Sequence, residues 1–215
     1  MNKKRIKVAI DSPAGAGAGT QSKLISKHYN LFYLDTGKIY RILAYYKLKN
    51  FDKFNLKNIK NKIKSLKLHE LKNKKLLSNE IGIEASIISK NKQIRKLVDI
   101  VQKKYAYNPP RKYNGSCLDG RDITYKILPD ADFKFFITAN VKIRARRRYK
   151  ELKVLNKKIK FDDVLKSIKK RDLSDYKRKV SPLKRTKDSI LIDTTHLSIK
   201  KCFLLIKRII DKKLK

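Results

Sequence analysis

The sequence is poor in cysteine and in long apolar runs. Its 215 residues include only two cysteines, Cys117 and Cys202, which are too few for a disulfide framework and lack metal-ligand spacing. No uninterrupted apolar stretch approaches the roughly 20 residues that a membrane-spanning helix needs. The first apolar run ends at Asp11 and is too short for a signal peptide. We therefore expect a soluble, cytoplasmic protein with two free thiols and no membrane contact.

Acidic residues are also scarce. The chain has 19 Asp and Glu against 57 Lys and Arg, a formal net charge of +38, which makes nucleic acid a partner to consider. The basic residues are spread along the chain together with many Ile and Asn residues, a mixture that an A/T-rich genome produces without selection for binding. We expect nucleic acid to bind only non-specifically, if it binds at all.

The order of apolar and amphipathic segments predicts an α/β domain with a parallel sheet. A lysine-rich amphipathic segment at 50–77 leads into a longer helical region predicted at about 84–107, which Pro109 and Pro110 close. We interpret 50–107 as a helical insertion. Strand patterns lie at 5–11, 32–35, 116–119, 133–137 and 190–193. The remaining helical patterns lie at 21–28, 36–48 with Thr36 as its N-cap, 140–155, 162–179 and 198–212.

A glycine-rich turn joins the first strand to the first helix. Residues 12–20 read Ser-Pro-Ala-Gly-Ala-Gly-Ala-Gly-Thr, which places backbone N–H groups at a helix N-terminus and predicts an anion cradle. The turn nearly matches the P-loop pattern G-x-x-x-x-G-K-[ST], but Ser12 replaces the first glycine and Ala18 replaces the lysine. Thr20 follows Gly19 and falls where a hydroxyl could bind Mg²⁺.

Two other interpretations of this turn remain open at this point. The glycines would also let a helix pack closely on a sheet without binding any ligand. A dinucleotide site is the second alternative, because Gly15 and Gly17 are followed by Asp35 at the end of a second strand.

Several further segments carry a family resemblance. Residues 34–41 read Leu-Asp-Thr-Gly-Lys-Ile-Tyr-Arg, and residues 119–123 read Asp-Gly-Arg-Asp-Ile. Residues 171–178 read Arg-Asp-x-x-Asp-x-x-Arg and are followed by Ser-Pro-Leu at 181–183. In content and order, these segments resemble those of bacterial cytidylate kinases, over a stretch from residue 6 to about residue 209.

The resemblance implies an architecture and an activity. The fold would be a three-layer P-loop NTPase with a five-stranded parallel sheet, a nucleoside monophosphate (NMP)-binding insertion at about 50–107 and a short lid at about 145–160. The core would comprise 5–49, 108–144 and 180–215. A monomer would transfer a phosphoryl group from ATP, with Mg²⁺, to CMP or dCMP.

The resemblance also implies roles for individual polar residues. An arginine fork binds two phosphate oxygens at once, so three arginines would hold the acceptor phosphate for in-line attack. The implied catalytic residues are Arg41, Arg121, Arg178 and Asp122. The implied CMP-binding residues are Thr36, Arg41, Ser86, Arg95, Arg121, Asp122, Arg171, Asp175 and Arg178. The implied ATP-binding residues are Pro13, Ala14, Gly15, Ala16, Gly17, Ala18, Gly19, Thr20 and Arg148, and the implied Mg²⁺ ligands are Thr20 and Asp119, directly or through water.

Within the CMP-binding set, Ser86, Arg95 and Asp122 correspond to the residues that read the base. Asp175 and Arg171 lie one helical turn apart and would bind the ribose hydroxyls, although their spacing alone also fits an ion pair without a ligand. A loop-capping role is the alternative for Asp119.

Ala18 departs from the family pattern, because a P-loop lysine normally carries its charge to the donor phosphates. A slow kinase, substitution by another cation such as Lys23, Lys38 or a lid arginine, and an engineered inactive variant all fit the sequence. The alternative function is a catalytically silent P-loop protein that binds nucleotide or RNA.

Overall fold

Five apolar strands form one parallel sheet in a computed structural model that describes residues 5–155 and 157–214. The strand order is β2-β3-β1-β4-β5, and every neighbouring pair is parallel. Each predicted strand is confirmed to within one residue at either end. The strands are β1 (Ile6–Asp11), β2 (Phe32–Asp35), β3 (Gly115–Gly120), β4 (Phe133–Thr138) and β5 (Ile190–Asp193).

Eight α-helices are found in the described part of the chain, together with short 3₁₀ turns at Phe51–Lys53, Leu68–Lys72 and Lys74–Leu77 and a π turn at Ile123–Ile127. The helices are α1 (Ala18–Tyr29), α2 (Thr36–Lys49), α3 (Leu56–Lys64), α4 (Asn79–Ile88), α5 (Lys92–Tyr107), α6 (Val141–Leu155), α7 (Phe161–Lys177) and α8 (Ile199–Leu214). None of the helices in the described residues is long and apolar enough to cross a bilayer.

The sheet is covered on both faces because its strands are apolar on both sides. Val8 and Ile10 of β1 point to one face and pack with residues of α1 and α8. Ala9 points to the other face and packs with residues of α2, α4 and α5. Burying one large aliphatic side chain stabilises the folded state by roughly 1.5–3 kcal/mol, so both faces of β1 need to be covered. The alternation along β1 therefore fixes a three-layer α/β/α arrangement. This is the predicted P-loop fold class.

The register of the sheet brings polar residues to one edge. Ile10 pairs with Asp119, and Asp35 also pairs with Asp119. The carboxyl ends of β1, β2 and β3 therefore meet where the glycine-rich turn begins, which is where ligands bind in open α/β sheets.

The helical region predicted at about 84–107 comprises the end of α4 and all of α5, because the Asn91 side chain accepts hydrogen bonds from the N–H groups of Gln93 and Ile94 and caps a new helix. The prediction that Thr36 is the N-cap of α2 was wrong. Asp35 takes that position and accepts from Lys38 N, while the Thr36 hydroxyl turns inward.

Candidate active site

A cavity of about 1550 Å³ lies at the carboxyl edge of the sheet. The glycine-rich turn and residues of α4, α5 and α7 line it. All residues that the sequence predicts for ATP, CMP and Mg²⁺ line this cavity. The volume and the polar lining of this cavity suit ligands of the size of a nucleotide.

The glycine-rich turn is held from behind by α6. Gly15 has a φ of 76°, and a methyl group added to it would lie 3.0 Å from the backbone oxygen of Arg144. Arg144 Nη1 donates to the Ala14 carbonyl at 3.0 Å, and its guanidinium also pairs with Asp172 on α7. Gly17, with a φ of 92°, is the N-cap of α1. The turn therefore needs glycine at these positions and presents the N-terminus of α1 to the cavity.

The end of the turn differs from a standard P-loop. The Ala18 side chain is 4% exposed and belongs to the apolar cluster between the sheet, α1 and α8. Thr20 is exposed at the cavity. Gly19 is the residue that faces Asp119, because a methyl group added to it would lie 3.7 Å from Asp119 Oδ2.

The surroundings of Asp119 disfavour its ionised form. Burial and the charge of nearby Asp35 raise the pKa of Asp119 to about 8, although a hydrogen bond from Tyr33 and the charges of Arg121 and Lys23 act in the opposite direction. Its Oδ1 is buried and has no hydrogen-bond partner among the described residues.

A divalent cation would fit this edge of the sheet, since it would stabilise the ionised form of Asp119. Within the described residues there is no group of three or more His, Cys, Asp or Glu that could hold a metal ion. A cation here would therefore need further oxygen ligands, and the phosphates of a nucleotide supply such ligands in kinases.

Asp175 lies at the centre of an arginine cluster that also lines the cavity. Its Oδ2 accepts from Arg121 Nε at 2.7 Å, and its Oδ1 lies 3.4 Å from Arg178 Nη1. Arg171 Nε is 3.9 Å from Oδ2. Burial alone would raise the pKa of Asp175, but these three arginines hold it below its usual value.

The arginines outnumber the carboxylates that face them. Burial and the charge of Arg121 lower the pKa of Arg171 to about 10. Burial and the charges of Arg171 and Arg148 lower the pKa of Arg41 to about 9. Arg178 Nη2 is buried without a hydrogen-bond partner in the described chain. Such crowding favours the binding of an anion, because an anion would relieve the repulsion between the guanidinium groups.

Two of the predicted phosphate ligands are hydrogen-bonded to one short segment. Arg41 Nη1 donates to the carbonyl oxygens of Leu76 at 2.6 Å and Ser78 at 3.2 Å. Arg148 Nη2 donates to the carbonyl oxygen of Leu77 at 2.7 Å. Both side chains line the cavity, and in the ligand-free protein both are held by carbonyl oxygens of residues 76–78.

The residues predicted to read the base are close together. Arg95 Nη2 lies 2.5 Å from Asp122 Oδ2, and both side chains are almost fully buried. Arg95 also donates to the Ser89 carbonyl at 3.1 Å and stacks over the Tyr40 ring. Ser86 lines the same cavity. The Arg95–Asp122 pair holds hydrogen-bond donors and acceptors in a fixed arrangement, and such an arrangement can recognise the edge of a base.

Thr36 joins the ends of two strands. Its hydroxyl donates to the Asp119 carbonyl at 2.8 Å. A methyl group on Gly120 would come within 2.6 Å of this hydroxyl, so glycine is required there. The turn that carries Arg121 and Asp122 is thereby fixed next to the start of α2.

Sequence reasoning missed Asp11. Its carboxylate is buried and accepts from the N–H groups of Ile123 at 2.8 Å and Thr124 at 2.9 Å, and from the Thr124 hydroxyl at 2.6 Å. Asp11 thereby ties the end of β1 to the turn that follows Asp122. The sequence did contain a signal for this role: Asp11 is an acidic residue at the end of an apolar strand, directly before the glycine-rich turn.

Sequence reasoning also missed the hydrogen bonds of Arg147. This guanidinium donates to the Thr194 hydroxyl at 2.8 Å and the Thr194 carbonyl at 2.6 Å. Its Nη1 would lie 3.8 Å from a methyl group added to Gly17. Arg147 therefore places a positive charge beside the glycine-rich turn.

Comparison with known proteins agrees with this geometry. A family model described as cytidylate kinase matches residues 8–212. A cytidylate kinase from Clostridium tetani is 39% identical over 218 residues, which cover 96% of this chain and 94% of that protein. A cytidylate kinase from Bartonella tribocorum is 41% identical over 205 residues, which cover 95% and 94%. A crystal structure of an uncharacterized protein from Eubacterium ventriosum superimposes with a TM-score of 0.57 at 16% identity, covering 96% of this chain and 99% of that one. The similarity to the Eubacterium ventriosum structure concerns the fold alone.

Proposed function

The chain belongs to the cytidylate kinase family, and from that premise we propose that it transfers the γ-phosphoryl group of ATP to CMP or dCMP. The products are ADP and CDP or dCDP. One observation supports this activity most directly: the Asp175-centred arginine cluster and the glycine-rich turn line the same cavity. An anion cradle and an arginine clamp in one cavity suit a donor and an acceptor phosphate.

On the donor side, the turn from Pro13 to Thr20 binds the ATP phosphates through backbone N–H groups and the N-terminus of α1. Arg148 leaves the Leu77 carbonyl and binds a phosphate oxygen. Asp119 and Thr20 would hold Mg²⁺, which would supply charge neutralisation at the donor phosphates. The buried Oδ1 of Asp119, which has no hydrogen-bond partner among the described residues, supports this assignment.

On the acceptor side, Arg41, Arg121 and Arg178 hold the α-phosphate, and the Thr36 hydroxyl lies beside it. Arg171 and Asp175 bind the ribose hydroxyls. Ser86, Arg95 and Asp122 read the cytosine edge. The buried ion pair between Arg95 and Asp122 supports the last role, because its geometry is fixed before the base arrives.

The chemistry follows from positioning. Phosphoryl transfer requires in-line placement of the attacking oxygen and stabilisation of charge on the transferring group, and no covalent intermediate is needed. The guanidinium groups supply that stabilisation from a buried site, where electrostatic interactions are stronger than in water. We propose that Ala18 leaves the donor loop with one positive charge fewer than a standard P-loop, so that ATP binding is retained better than the rate of transfer.

We further propose the division of the chain that the family implies. The core comprises 5–49, 108–144 and 180–215, the NMP-binding insertion lies at about 50–107, and the lid lies at about 145–160. The protein works as a monomer in the cytoplasm.

Steady-state kinetics with four acceptors tests the activity. We expect phosphorylation of CMP and dCMP with kcat/KM values well above those for UMP and AMP. Equal kcat/KM values for CMP and AMP would rule out the cytidylate assignment and leave the kinase class intact.

The second candidate is a catalytically silent protein that binds nucleotide or RNA. Ala18 and the net charge of +38 favour it. It predicts ATP or RNA binding without ADP formation in the presence of CMP, and RNA binding that weakens steeply with salt. The intact arginine clamp favours the enzyme, because RNA binding does not require Arg41, Asp122, Asp175 and Arg178 in one cavity.

A further inference from the structure

Tyr40 brings a buried hydroxyl to the cavity. The residue lies on α2, directly before Arg41, and it lines the cavity although it is only 8% exposed. Its Oη atom is buried and has no hydrogen-bond partner among the described residues. The ring itself packs in the apolar cluster between the sheet and the helices of the insertion. The hydroxyl is therefore a polar group that the ligand-free protein leaves unsatisfied.

The ring of Tyr40 is fixed against the pair that is proposed to read the base. The guanidinium carbon of Arg95 lies 5.5 Å from the centroid of the ring, which is a cation–π contact. Burial raises the pKa of Tyr40 above its usual value, although the charges of Arg95 and Arg178 act in the opposite direction. The hydroxyl therefore keeps its proton and can donate, and it lies within electrostatic reach of both the base-reading pair and the phosphate clamp.

The contacts of the ring do not require the hydroxyl. Phenylalanine would keep the packing of the ring and its cation–π contact with Arg95, and it would remove a buried donor that has no partner. Such a donor destabilises a folded protein. A ligand that accepts a hydrogen bond from the Tyr40 hydroxyl would remove this destabilisation, which favours a role in binding over a role in the fold.

A donor at this place complements the proposed readers of the base. The recognition edge of cytosine carries one amino group and two acceptors, a ring nitrogen and the base carbonyl. The Asp122 carboxylate can only accept, so it suits the amino group. Arg95 already donates to Asp122 and to the Ser89 carbonyl. A hydroxyl donor next to Arg95 helps to satisfy both acceptors of the base.

We propose that Tyr40 is a further substrate-binding residue, whose hydroxyl donates a hydrogen bond to the base carbonyl of CMP or dCMP. The inference rests on the proposed function and deepens it. Uracil carries the same carbonyl group, so Tyr40 favours pyrimidine nucleotides as a class, while Asp122 selects the amino group of cytosine. The contact is made to the base, so it does not depend on the 2′-hydroxyl of the ribose.

Tyr40→Phe tests the proposal because it removes only the hydroxyl. In calorimetric titration without ATP, the variant should bind CMP about three- to tenfold more weakly than the wild type, which is the range that one neutral hydrogen bond contributes. The affinity for dCMP should fall by the same factor. The KM for ATP should not change, and kcat should change less than about twofold, because the hydroxyl contacts neither the donor nor the transferring group.

Tyr46→Phe is the matched control. Tyr46 lies on the same helix, but its ring packs near Phe54 of the insertion, with 6.4 Å between the ring centroids. This variant should bind CMP as tightly as the wild type. Thermal melting without ligand separates a binding role of Tyr40 from a structural one. Tyr40→Phe should melt no lower than the wild type, because the hydroxyl has no partner in the described chain.

A ligand analogue identifies the atom that the hydroxyl contacts. In 2-thiocytidine 5′-monophosphate, sulfur replaces the base carbonyl oxygen and is a weaker acceptor. The wild-type protein should prefer CMP over this analogue, and the preference should shrink in Tyr40→Phe by about the factor that the variant loses with CMP. In such a cycle, independent groups would give additive losses.

Two outcomes would overturn the proposal. Equal affinity of Tyr40→Phe and Tyr46→Phe for CMP would show that the hydroxyl does not bind the acceptor. Additive losses in the comparison with the thio analogue would show that it does not contact the base carbonyl. If the wild-type protein binds CMP with the predicted dependence on Tyr40 but forms no ADP, the proposed activity fails and the role of Tyr40 in binding stands.

Discussion

Arg121 Nε donates to Asp175 Oδ2 at 2.7 Å, although 54 positions separate the two residues in the sequence. The contact joins the turn after β3 to α7 at the acceptor side of the cavity. In the proposed function, the Asp175 carboxylate would orient the arginines that bind phosphate and would accept hydrogen bonds from the ribose hydroxyls.

Replacing Asp175 by asparagine should impair the enzyme strongly. The amide keeps the shape of the carboxylate but removes the charge shared by Arg121, Arg171 and Arg178, which leaves buried cations without compensation. We expect kcat/KM for CMP to fall about a hundredfold, equivalent to about 3 kcal/mol. Asp162→Asn, at the exposed start of the same helix, is the control. Equal activity of the two variants would show that the cluster does not depend on Asp175.

Arg178→Ala should reduce turnover far more than Lys169→Ala. Arg178 lines the cavity and has an Nη2 atom without a partner in the described residues, whereas Lys169 is an exposed lysine of α7. Loss of one phosphate contact that forms in the transition state should cost roughly 3 kcal/mol, about a hundredfold in kcat. Initial rates at saturating ATP and CMP provide the comparison. Similar rates would mean that the phosphate clamp lies elsewhere.

Ala18→Lys should raise kcat by on the order of tenfold or more and tighten ATP binding less, because the new charge acts mainly on the transferring phosphoryl group. Ala18→Met is the matched control, since it adds a long side chain without charge. ADP formation that depends on CMP and ATP titration measure the two effects. Unchanged or lower activity with lysine would indicate that Lys23, Lys38 or a lid arginine already supplies the charge.

Asp11 should make stability depend on pH. Burial raises its pKa to about 6, while hydrogen bonds from Thr124 and Ile123 act in the opposite direction. A carboxyl group whose pKa is higher in the folded state stabilises the fold below its unfolded pKa of 3.8, and this contribution is lost as the pH rises through about 6.

The Asp11→Asn variant removes that titration. The free energy of unfolding of the variant, measured relative to that of the wild type, should therefore rise by about 2 kcal/mol between pH 4 and pH 7. A constant offset between the two proteins does not affect this change. Denaturant unfolding at several pH values measures this slope. A difference that stays constant or falls over the same range would contradict the raised pKa.

Much of the fold follows from local patterns in the sequence. The strands are short apolar runs bounded by polar or turn residues, so each could be located to within one residue. Thr36 and Asn91 show where local patterns are insufficient. A hydroxyl at a helix start and an asparagine in a helical run each fit more than one structure, and neighbouring residues decided which group caps the helix.

The candidate site was predictable as a set of residues but not as an arrangement. The sequence pattern identified the glycine-rich turn, and the resemblance to cytidylate kinases identified the arginine and aspartate segments. Tertiary structure decided that Arg121 contacts Asp175 and that Asp11 holds the turn at Thr124. In each of these two pairs the residues are far apart in the chain, and Asp11 reaches the turn after β3 because parallel strands bring their carboxyl ends to one edge of the sheet.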